Sequence, residues 1–167
     1  LLIGSEEIIS ALFGYGSFDE FSVLNSSNAL YYFALGLPAF SLIKVFSSFF
    51  FANHDTKIPF YISLISVLVN IVISISYFSE IGFIIIPIAT TISSWLNALL
   101  LFIFLKNKNL FSFNNIFLIN LIKISGASIL MALLFNFLIS YFQKELAFDQ
   151  NIKSFYLILI VVLSLLF

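Results

Sequence analysis

The chain has 167 residues, 62% of them hydrophobic and only 9% charged, with a mean hydropathy of +1.15, whereas a soluble domain carries roughly 25% charged residues. So few charges cannot coat a water-soluble fold, and the apolar residues come in long unbroken runs, the pattern that lipid demands. A net charge of -1 without any basic cluster argues against a nucleic-acid partner. The absence of Cys excludes disulfides, thiolate metal sites and cysteine nucleophiles.

Leu1 to Gly4 carry neither Met nor a cationic stretch, so they read as the end of something longer and not as a signal peptide. Ser5-Glu6-Glu7 followed by Ile8, Ile9, Leu12 and Phe13 predicts a short amphipathic helix over 5–13 on the outer face. Ser5 is placed to cap it, the two carboxylates sit at its positive end, and Gly14 and Gly16 end it. The polar, acidic stretch Ser17 to Asn28 predicts a loop outside the membrane core with a turn near Asp19-Glu20.

Complete membrane spans are expected at about 29–52, 60–78, 83–105 and 116–142, and a fifth apolar run, 155–167, stops in mid-run. At 1.5 Å per residue that last run crosses only about 20 Å of the ~30 Å hydrocarbon layer. The chain therefore reads as a fragment truncated on both sides, and its fold class as an all-α, polytopic transmembrane helical bundle. Pro38 lies inside the first span, where a kink is expected. Asn53 to Pro59 is a polar turn, with Asp55 or Thr56 offering capping oxygens and Pro59 suited to a first helical turn. Ser79 to Gly82 is so short that its flanking spans must form an antiparallel helical hairpin. Polar linkers are expected at 106–115 and 143–154.

Orientation follows from the lysines, because short Lys-rich loops stay in the cytoplasm while acidic residues matter little. Lys44, Lys57, Lys106, Lys108 and Lys123 fall on one side and only Lys144 and Lys153 on the other. Seven of the eight acidic residues share that second side, which is placed outside.

Polar groups at membrane depth are costly unless paired, so each is a candidate. Lys44 is close enough to the inner end of its span to snorkel, or it faces a cavity. Asn70 and Ser74 share a helix face, and the hairpin makes their span a neighbour of Thr90, Thr91, Ser94 and Asn97. Oxygens of Asn70, Ser74 and Thr90 either converge on a small hard cation such as Na⁺ or form the interhelical hydrogen bonds that hold membrane helices together. Ser125, Gly126, Ala127, Ser128 and Ala132 form a small-residue patch permitting close approach of a helix or a lipid chain. His54 is a lone histidine without companions at ligand spacing, and neither a phosphate loop nor a nucleophile elbow is present. No catalytic residues and no other metal ligands are identified, so the chain does not read as an enzyme.

The run Leu12-Phe13-Gly14-Tyr15-Gly16-Ser17-Phe18, then Phe33 to Phe40 running on to Lys44-Val45, resembles the lipid II flippase (MurJ, or MviN) family. Phe50-Phe51-Ala52, Asp55-Thr56-Lys57 and Pro59 resemble that family's pattern between its tenth and eleventh helices. Gly82, Ala89-Thr90 and Ser94 to Leu100 are similar to its twelfth. The match is specific over about residues 8–105, and it departs at Asn53, where a basic residue is usual, and at Gly14-Tyr15, which replaces a charged pair.

The resemblance implies the C-terminal lobe of a 14-helix transporter of the multidrug/oligosaccharidyl-lipid/polysaccharide exporter class. Such a protein moves lipid-linked peptidoglycan precursor across the bacterial cytoplasmic (inner) membrane by rocking two lobes. The implied partners are that precursor, membrane lipids and the N-terminal lobe, which holds most of the cationic cavity residues. It further implies a lipid-tail groove on the last two spans, a cavity position for Lys44, and a Na⁺ site at Asn70 and Thr90, with Ser74 where an acidic ligand can occur. Competing readings are another exporter of the same superfamily, carrying an oligosaccharide lipid or a drug cation, and the membrane domain of a lipid-using glycosyltransferase.

Overall fold

The structure is a computed structural model describing residues 1–108, 115–143, 146 and 152–165. Among these residues every regular element is helical: α1 (Ser5–Phe13), α2 (Glu20–Ala52), α3 (Lys57–Ile81), a 3-10 turn (Gly82–Ile84), α4 (Ile85–Asn107), α5 (Asn115–Tyr141) and α6 (Lys153–Leu165). Three apolar stretches, Glu20–Ala52, Lys57–Asn107 and Ile119–Tyr141, are long enough to cross a membrane, and the middle one is folded in two. Its 25-residue and 23-residue limbs span about 37 and 34 Å at 1.5 Å per residue, so each crosses the hydrocarbon layer by itself. The expected linkers at 106–115 and 143–154 lie largely outside the described residues. Two compact units are formed, one by residues 1–28 and 113–167 and the other by 29–112.

In the second unit the chain reverses at Gly82, whose φ of 73° and ψ of -152° close α3 with its N–H on the Phe78 carbonyl. That backbone region is essentially open to glycine alone, so the residue type is dictated by the turn. The limbs run antiparallel: Ile62 near the start of α3 meets Leu101 and Leu105 near the end of α4. Phe46 and Phe50 of α2 complete this cluster, and the Phe46 ring lies 5.8 Å from that of Phe102.

Helix α2 ends in a left-handed cap. His54 takes φ 55°, its N–H reaches the Phe51 carbonyl at 3.0 Å, and the Asp55 N–H reaches Phe50 at 3.0 Å. These two bonds are those of a Schellman motif, with histidine in the position usually held by glycine. Asp55 then accepts from Ile58 N–H at 3.4 Å and from the Lys108 ammonium at the far end of α4. That ammonium holds the Asp55 carboxyl below the usual carboxylate range. Thr56, the other capping candidate, occupies the cap position of α3 without a side-chain bond, and Pro59 sits buried in the first turn.

Two boundaries differ from expectation. The stretch from Glu20 to Asn28 is helical, not a loop, because Asp19 Oδ1 accepts the Ser22 N–H at 2.9 Å and starts α2 nine residues early. Hydrogen bonding from the Ser22 side chain, and then from its N–H, holds the Asp19 carboxyl below the usual carboxylate range. Ser5 does not cap α1: Gly4 stands at the cap and accepts from Ile8 N–H at 3.0 Å, leaving Ser5 inside the first turn.

In the first unit, Ala11 of α1 joins Ile139, Leu157 and Ile160 of α5 and α6 in a buried cluster. Leu12 and Phe13, the last apolar residues of this amphipathic helix, are exposed. Lys153 opens α6 buried, donating to the Gly14 carbonyl at 2.7 Å with its ammonium 4.5 Å from the centre of the Tyr15 ring. Next to it, Ser154 donates to the Ala11 carbonyl at 2.6 Å and shares a hydrogen bond with the Tyr15 hydroxyl.

Candidate polar site in the α3–α4 hairpin

Folding the apolar stretch back on itself brings Asn70, Ser74 and Thr90 together midway along the hairpin. The Asn70 amide donates to Thr90 Oγ1 at 3.1 Å and to Ser93 Oγ at 3.2 Å, and Ser74 donates to Asn70 Oδ1 at 3.4 Å. The two acceptor hydroxyls have already committed their protons, Thr90 to the Ile86 carbonyl and Ser93 to the Thr90 carbonyl. Their lone pairs are therefore what face α3, and this sets the amide with nitrogen, not oxygen, between them.

Ser93 was not singled out in the sequence. Its position three residues after Thr90 puts it on the same face, so helical spacing alone was a sufficient signal. The other face of α4 serves α2: Thr91 Oγ1 donates to the Tyr32 carbonyl at 2.6 Å and Trp95 Nε1 to the Leu35 carbonyl at 3.1 Å. Those acceptors lie within two turns of Pro38, which interrupts the hydrogen-bond ladder of α2. Contact is close here, since a Cβ on Gly36 would stand 3.1 Å from Thr91 Oγ1.

The remaining candidates stay apart from this cluster. Lys44 is exposed on α2 with no hydrogen bond or ion pair among the described residues. On α5, Ser125, Gly126 and Ser128 are exposed and Ala132 is half-buried. Ser128 donates to the Ile124 carbonyl, and nothing stands within 4 Å of where a Gly126 Cβ would point. The patch is thus uncovered within its unit.

A family model described as "Lipid II flippase MurJ" matches residues 1–158. The chain belongs to the MurJ lipid II flippase family. Among its MurJ relatives, a probable lipid II flippase MurJ of Rhizobium meliloti is 41% identical over 102 residues, 61% of this chain and 19% of that protein. That of Rickettsia prowazekii is 35% identical over 102 residues, 61% of this chain and 20% of its own. One from Buchnera aphidicola of Baizongia pistaciae is 27% identical over 152 residues, 91% of this chain and 29% of its own. The chain therefore spans between about a fifth and about three tenths of the length of these MurJ relatives. Family and helices together make it a multi-pass membrane protein.

Proposed function

We propose that the chain is the second-lobe portion of a flippase that carries lipid-linked peptidoglycan precursor across the bacterial inner membrane by alternating access. The observation that carries this reading is the family match over residues 1–158, and the short share of its relatives' length supports a further, N-terminal lobe as its working partner. Its role is transport, not catalysis. The full-length gene is expected to restore growth to a bacterium depleted of its own lipid II flippase. Failure to do so with the protein present in the membrane overturns the reading. Lys44, exposed on α2, belongs to it as a cation for the precursor's diphosphate. In the same assay Lys44→Met is expected to abolish rescue, whereas normal growth assigns the ammonium to the headgroups.

The uncovered patch at Ser125, Gly126, Ser128 and Ala132 is proposed to receive the precursor's polyprenyl tail, since small residues admit a lipid chain closely. A photoactivatable polyprenyl lipid is expected to label α5, and absence of label there counts against it.

The arrangement of the hairpin cluster favours a clasp over a sodium site. The Asn70 nitrogen already occupies the space between the Thr90 and Ser93 oxygens, and the Asn70 oxygen is taken by Ser74. We propose that the cluster fastens α3 to α4 and that transport needs no Na⁺ there. Asn70→Ala and Thr90→Ala are expected to lower stability by about 0.6–1.7 kcal/mol each, the range for hydrogen bonds between membrane helices. Rescue is expected to be the same at low and high Na⁺, and a Na⁺ dependence lost in either variant would overturn the assignment.

A further inference from the structure

Helix α2 carries a local weakness at Pro38, which has no N–H to give the Ala34 carbonyl and whose ring crowds that same carbonyl. Gly36, a poor helix former, lies in the same turn. Side chains of α4 grip the carbonyls flanking Ala34: Trp95 Nε1 donates to Leu35 at 3.1 Å, and Thr91 Oγ1 donates to Tyr32 at 2.6 Å. Thr91 and Trp95 are four residues apart on one helix and Tyr32 and Leu35 three apart on the other, so each pair lies along one face. A Cβ at Gly36 would stand 3.1 Å from Thr91 Oγ1, and its absence is what lets that hydroxyl reach the backbone.

The parts of α2 on either side of Pro38 are held differently. On the C-terminal side Phe46 and Phe50 are buried against Ile62, Leu101 and Leu105, so large apolar side chains fix this part to the hairpin. On the N-terminal side, over 29–37, the buried residues are Ala34 and Gly36, which offer few atoms for packing. What ties that part to α4 is mainly the pair of hydrogen bonds. One hydrogen bond between membrane helices biases an equilibrium by about three- to eighteenfold, enough to set a conformation and little enough to be released.

We infer that Pro38 is a hinge in α2 and that Thr91 and Trp95 are its catch. With both bonds made, residues 29–37 are held to α4; with both released, they move away while Phe46 and Phe50 stay in place. Thr91 and Trp95 are positioning residues, acting through the α2 backbone. The inference stands independently of the flippase reading, because it rests on contacts within one unit and not on what the protein carries.

The test uses the full-length protein in nanodiscs, with any other cysteine removed, and distances between spin labels measured by electron paramagnetic resonance. One sample carries labels at Tyr31→Cys and Ile75→Cys, across the N-terminal part of α2, and a second at Ser48→Cys and Leu64→Cys, across the C-terminal part; all four sites are exposed. In the combined variant Trp95→Phe and Thr91→Val, which keeps side-chain bulk, a second Tyr31–Ile75 distance is expected to gain about eightfold or more in population, at about threefold or more for each bond. The Ser48–Leu64 distance is expected to stay unchanged. Trp95→Phe alone is expected to give about threefold or more, which keeps the test decisive if the combined variant folds poorly. Pro38→Ala restores the missing donor and is expected to cancel the response, whereas bonds with a merely structural role would respond alike with or without the proline. An unchanged Tyr31–Ile75 distribution, equal broadening of both label pairs, or the same response in the Pro38→Ala background would overturn the inference.

Discussion

Replacing Lys153 by Met is expected to destabilise the first unit by about 3 kcal/mol, the sum of a lost charge-assisted hydrogen bond, a lost cation–π contact and a carbonyl left without its donor. Lys153 is 1% exposed, its Nζ lies 2.7 Å from the Gly14 carbonyl, and the Tyr15 ring lies beneath it. It is the point at which the segment after α1 is tied to the start of α6. Hydrogen exchange is the measurement that separates this from a general loss of stability. Amides of residues 5–18 and of the first turns of α6 are expected to lose protection, while those of the α3–α4 hairpin, in the other unit, keep theirs. Lys153→Arg retains the charge and is expected to keep most of the protection. Uniform loss across both units would show that the tie is not local.

The second large effect is expected at Phe50, which is 0% exposed and packs among Phe46, Ile62, Leu101 and Leu105. In a soluble core, Phe→Ala costs about 3–5 kcal/mol, part of it from transfer of the ring into water. A membrane removes much of that part, because a ring released from this cluster meets lipid that is as apolar as its neighbours. What remains is lost contact around an unfilled space, so about 2–3 kcal/mol is the expected loss for Phe50→Ala. Thermal unfolding in detergent is the check. Ile75→Ala, at a site 73% exposed on α3, is expected to change little, and equal losses at the two positions would show that Phe50 is not a packing anchor.

Much of the architecture was legible in the residues because lipid imposes a simple rule. Backbone groups inside hydrocarbon must bond within their own segment, so long apolar runs become helices. Four runs separated by polar punctuation could be read directly, and Ser79 to Gly82 was too short for anything except a hairpin. What misled was polarity near the surface. Ser22, Asn25, Ser26, Ser27 and Asn28 looked like loop, yet a single capping bond from Asp19 carries α2 through them. Polar composition says where the membrane core ends, and it does not say where the helix ends.

The candidate cluster shows the same division. Spacing placed Asn70 with Ser74, and the hairpin brought Thr90 opposite, but the sequence could not choose between a cation ligand set and a hydrogen-bonded clasp. The support for a clasp comes from where the Thr90 and Ser93 hydroxyls send their protons, which depends on rotamers and on the helix carbonyls behind them.

By itself, the sequence determined that the chain is a helical membrane protein with long apolar runs and, through ordered motifs, its family. These are local properties, set by hydropathy, helix length and residue order. Only the tertiary structure decided that Lys153 is a buried tie and not a surface charge, and that the Asn70 amide lies against the Thr90 and Ser93 hydroxyls of α4. Each depends on residues brought together from separate elements, up to 139 positions apart for Lys153 and Gly14, and no spacing within a single helix encodes such a meeting.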